Sequence, residues 1–119
     1  MGNHNQMDKF LLLFRMDITE EAQPTPAQME IYMQQWESWI SGIAKEDRLA
    51  GGNHLSNEGT VLRRNDVVQD GPYRADKESI AGYIIIKAMN FEEAVNIAKG
   101  CPILLGEGTS VEVRKIASR

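Results

Sequence analysis

Two short runs constrain this chain more than anything else in it: "KFLLLFRM" at residues 9–16 and "SIAGYIIIKAM" at residues 79–89. In an extended chain, successive side chains point to opposite faces. Phe10, Leu12, Phe14 and Met16 therefore face one way, and Leu11, Leu13 and Arg15 the other. In the later run Ile84 and Ile86 oppose Tyr83 and Ile85. Both runs are apolar on both faces, as strands in the middle of a sheet are.

The rest of the order follows from changes of apolar period. Thr25 precedes Pro26, and Gln28 completes a Thr-x-x-Gln capping box that opens a helix over 26–45. Met29, Met33, Trp36, Ile40 and Ile43 form one stripe on it, read as core, with Tyr32 and Trp39 beside the stripe. Gly51-Gly52 reads as a turn signal, the first of several before Gln69, with small strands or a hairpin between them. Strands are expected at 9–16, 80–89 and 110–116. Asn90 and Glu93 suggest a second capping box, opening a helix over 91–99 that Gly100 and Pro102 end.

The result is an α+β chain, β-α-β(β)-β-α-β, the ferredoxin-like sandwich. Right-handed crossovers put both helices on one face of the sheet, with the first and third main strands central. Two helices cover one face only, so the other needs a cover of its own. A second copy of the chain, sheet against sheet across a two-fold axis, makes a dimeric α+β barrel. Leu11, Leu13, Tyr83 and Ile85 are then expected to be buried by that copy, with Arg15, Lys87 and His54 at the margin of the remaining cleft.

Size and charge narrow the function classes. The chain has 119 residues and a net charge of −4, one domain's length with no electrostatic reason to meet nucleic acid or an anionic membrane. Residues 1–8 are polar and patternless and read as a loose tail; residues 9–119 read as the single domain. No apolar stretch approaches the ~20 residues of a membrane span, and the cytoplasm is the default location. Cys101 is the one cysteine, which excludes an intrachain disulfide, and it reads as a small buried residue before Pro102. No spacing of His, Asp or Glu suits a metal, and no cofactor is implied.

One stretch singles itself out: "DGPYRADKESIAGY", residues 70–83. Asp-Gly-Pro makes a rigid corner with two readings. In one, Asp70 only shapes the turn. In the other, the corner aims Asp70 into a cleft with Tyr73, Lys77 and Glu78 near it. The same residues resemble the signature of the DGPF-type proteins within the YCII-related family. Asp70, Gly71, Pro72, Lys77, Glu78 and Gly82 match it, and Tyr73 and Tyr83 stand at its aromatic positions. Ala75 and Ala81 depart from it. The resemblance implies a dimeric α+β barrel. In YCII-type relatives it also implies a His-Asp pair, whose histidine position corresponds to Gln28, a residue unable to act as a base. His54 is the histidine left within the folded part.

The expectation is a small cofactor-free acid–base enzyme, isomerase or lyase in type, acting on a small polar metabolite. Asp70 and His54 would move protons, and Tyr73, Lys77, Glu78 and Arg15 would bind substrate. The alternative is a non-catalytic ligand-binding or regulatory homodimer that uses the same cleft.

Overall fold

The computed structural model describes residues 6–17, 24–64, 68–75, 78–105 and 108–117. In chain order the elements are β1 (Asp8–Asp17), α1 (Pro26–Lys45), β2 (Leu49–His54), β3 (Thr60–Leu62) and β4 (Val68–Asp70). Then follow β5 (Glu78–Ala88), α2 (Phe91–Ala98), a short 3₁₀ turn (Pro102–Leu105) and β6 (Ser110–Lys115). Four strands form an antiparallel sheet in the order β2-β5-β1-β6. The apolar strands β1 and β5 are its central pair, and the fold is the ferredoxin-like α+β sandwich. β3 and β4 make a separate two-stranded hairpin.

One face of the sheet carries the core. Phe10, Leu12 and Phe14 of β1 and Ile84, Ile86 and Ala88 of β5 are buried with Ile43 of α1 and Ala94 and Ala98 of α2. Both helices therefore cover the same face. Phe14 meets the Trp36 ring edge-on at 4.8 Å, and Phe10 meets Phe91 at 5.7 Å, an arrangement aromatic pairs favour. Trp39 donates its indole N–H to the Ile97 carbonyl at 3.2 Å and so ties α1 to α2. Cys101 is buried beside this core, and desolvation pushes its thiol up to about 11.

The helix ends follow the sequence in part. Thr25 and Gln28 make the full capping box, each side chain bonding the other's backbone N–H. At α2 Asn90 caps Glu93, but the Glu93 carboxylate accepts from the Met89 N–H and from Arg48 instead of closing the box. The α1 stripe is core only in its C-terminal half. Ile43 is buried and Trp36 and Ile40 are half-buried, whereas Met29 and Met33 are 39% and 50% exposed. The helix ends at Lys45, before Gly51-Gly52. Asp47 ends it by taking a left-handed φ of 59° that Asp tolerates, while its N–H bonds the Ala44 carbonyl.

The glycine pair instead belongs to the edge strand β2. Gly52 has φ 150°, and a Cβ there would lie 2.6 Å from the Tyr83 carbonyl oxygen. Only glycine lets β2 close on β5. Gly52→Ala is expected to cost about 1–3 kcal/mol in urea unfolding. Gly42→Ala, where a Cβ meets nothing within 4 Å, should gain about 0.5–1 kcal/mol.

Candidate functional site

The site begins with an irregularity in the central pair. Phe14 pairs with Gly82, but Arg15 pairs with Ile80, so Ala81 is left over as a bulge. A bulge reverses which face the following side chains take. Beyond it Ile80 and Glu78 join Arg15 on the face away from the helices, and Ser79 turns inward and is buried. Its hydroxyl donates to the Tyr73 carbonyl and holds that segment against the sheet.

This end of the sheet forms one wall of a cavity of about 460 Å³, to which Arg15, Glu78, Ser79 and Ile80 contribute. Leu55, Ser56 and Glu58, leading out of β2, and Pro72, Tyr73 and Ala75, leading out of β4, form the other walls. Paired backbone bonds between Ala75 and Glu78, at 2.9 and 3.2 Å, hold the returning chain in place.

The Asp-Gly-Pro corner sets where that chain enters. Gly71 has φ 90°, a value side chains rarely tolerate, and donates its N–H to the Gly59 carbonyl at 2.7 Å. Pro72 then packs against Gly59 and lines the cavity. Asp70 ends β4, paired with Thr60; it is exposed and not among the lining side chains.

The other expected site residues separate into groups. Arg15, Tyr73 and Glu78 line the one cavity. His54 pairs with Gly82, so it lies on the helix side of the sheet, where Nδ1 is 3.3 Å from the Ala81 oxygen. The sheet thus stands between His54 and Arg15. Lys77 lies outside the described residues. Gln28 is engaged in the α1 cap. Among the described residues no three metal-ligating side chains converge, and no helix is long and apolar enough to cross a membrane.

Charge at the cavity centres on Arg15. Its Nη1 donates to Glu112 Oε1 at 2.6 Å, from β6 across the sheet, and Arg114 reaches the other oxygen of Glu112 at 3.3 Å. One carboxylate thus serves two guanidinium groups, so this cluster of three, taken apart from Glu58 and Glu78 on the cavity wall, keeps a net positive charge. The hydrogen bond from Arg15 holds the Glu112 carboxyl below its ordinary value, with Arg114 adding to the effect. Glu112, Ser79 and the Leu55–Glu58 wall are residues sequence reasoning passes over. Strand alternation puts Glu112 and Arg114 on one face and offers a signal for the first; nothing local signals the others.

Because the Glu112 value is depressed in the fold, the pairing contributes fully above the unfolded value and is lost as pH falls through the native one. A carboxyl NMR titration should therefore place the Glu112 midpoint below 4.5, and Arg15→Ala should raise it.

The family model for the YCII-related domain matches residues 22–117, from just before α1 to just past β6. No curated protein matches the chain.

Proposed function

Since the chain belongs to the YCII-related family, we propose that it works as a homodimer and holds a small, anion-bearing metabolite in the cavity beside Arg15. The observation that carries this reading is the incomplete pairing of Arg15 among the described residues. A guanidinium offers five N–H donors, and Glu112 occupies one of its terminal nitrogens. The remaining donors suit a carboxylate or similar oxyanion. At about 460 Å³ the cavity has the size of ordinary small-molecule sites.

The dimer follows from the uncovered face. Leu11 pairs with Ile85 and Leu13 with Tyr83, and all four side chains are only half-buried on the side away from the helices. A second copy packed on this face covers the central strands, in keeping with the barrel that the DGPF-type resemblance implies.

An acid–base reaction on the bound ligand is the second reading. Glu78 and Tyr73 favour it, being proton-transfer groups within the same cavity. In that reading Glu78 and Glu58 are the carboxylates at the ligand, and Asp70 and His54 stand outside the lining.

Two measurements test the proposal. Sedimentation at micromolar concentration should show a dimer, and Leu13→Asp should dissociate or unfold it, since burying an unpaired carboxylate is costly. A well-folded wild-type monomer would overturn the dimer. In a thermal-shift screen of small carboxylates, a ligand that binds only the folded chain raises its melting temperature. Arg15→Gln should weaken such binding roughly tenfold or more, whereas Asp70→Ala should leave it unchanged; the reverse result would return the site to the corner.

A further inference from the structure

The cavity holds more charge than Arg15. Glu58 and Glu78 also line it, and among the described residues neither carboxylate accepts a hydrogen bond or enters an ion pair. Arg15, by contrast, is already matched in part by Glu112. A ligand carrying only negative charge would meet one suitable group and two repelling ones. A ligand carrying both signs would meet a partner for each.

Position supports the same conclusion. Ile80 is the cross-strand partner of Arg15, and Glu78 lies two residues along β5 on the same face. Diagonal neighbours of that kind stand about 7–8 Å apart at the backbone. Both side chains therefore leave the same face of the sheet from neighbouring positions and can approach one small ligand from two sides. The rest of the lining sets apolar and aromatic residues, Leu55, Pro72, Ala75, Ile80 and the 61% exposed Tyr73, beside the hydroxyls of Ser56 and Ser79.

We infer that the cavity takes a small zwitterion of the amino acid type with an apolar side chain. Its carboxylate meets Arg15, its ammonium meets Glu78 with Glu58 behind it, and its side chain lies against Ile80 and Leu55. The inference rests on reading this cavity as the ligand site.

Titration calorimetry on the full chain with three probes of one carbon skeleton separates the two ideas. L-Leucine carries both charges, isocaproate lacks the ammonium and isoamylamine lacks the carboxylate. Leucine should bind roughly tenfold or more tightly than either of the others, as expected for one additional charge-assisted contact. Glu78→Gln should reduce leucine to the level of isocaproate and leave isocaproate unweakened. Equal binding of leucine and isocaproate, unaffected by Glu78→Gln, overturns the zwitterion and leaves the anion site standing. Isoamylamine binding as tightly as leucine overturns both, since Arg15 would then contribute nothing. No binding of any probe at millimolar concentration overturns the assignment of this cavity. The wild-type comparison needs no variant, so a poorly folded mutant cannot decide the outcome.

Discussion

The antiparallel pairing of β1 with β5 is the contact on which every other layer depends. Ten backbone partners, from Asp8 with Ala88 to Asp17 with Glu78, lock the two most apolar segments together. Because their side chains alternate, a slip of one residue would send Phe10, Leu12 and Phe14 to the wrong face and leave both helices without a core. The buried Leu12 and Ile86, each with no accessible surface, show how completely the helix side is filled. The same alternation forces Leu11, Leu13, Tyr83 and Ile85 to the other side. A sheet strong enough to carry this fold therefore presents a second apolar face as a direct consequence.

The bulge at Ala81 is where this regular pair becomes a site. Without it, Ile80 and Glu78 would continue the core face and Ser79 would point outward. With it, a cation from β1 and a carboxylate from β5 share one side of the sheet, and a buried hydroxyl pins the Tyr73 segment. Ala81 also accepts the Leu55 N–H at 2.9 Å and lies against His54, so the bulge guides the chain leaving β2 into the wall of the cavity. One displaced residue thus shapes two walls.

The corner at residues 70–72 complements the bulge from the opposite side. Its glycine supplies a backbone angle that no side chain favours, and its proline fills space against Gly59. This gives Asp-Gly-Pro a mechanical part in forming the cavity: it delivers Pro72 and Tyr73 to the wall while Asp70 stays at the end of the hairpin. Arg15 is held in turn by β6, so the cavity draws on the first strand, the last strand and the hairpin between them.

The sequence by itself determined the element order, the central strands, the Thr25 cap and the two-faced apolar character of the sheet. All of these are properties of local spacing: a period of two, a period near three and a half, and a cap three residues long. It also marked Arg15, Tyr73 and Glu78 as polar residues next to apolar strands, which is a matter of adjacency. Only the tertiary structure decided that these three share a cavity, that His54 lies across the sheet from Arg15, and that Glu112 holds Arg15. It likewise decided that Gly52 is a strand residue and that Met29 and Met33 stay exposed. The physical reason is the same in each case. A bulge, a close backbone approach or the exposure of a side chain depends on the partner strand or helix, and the partner is set by register across residues far apart in the chain.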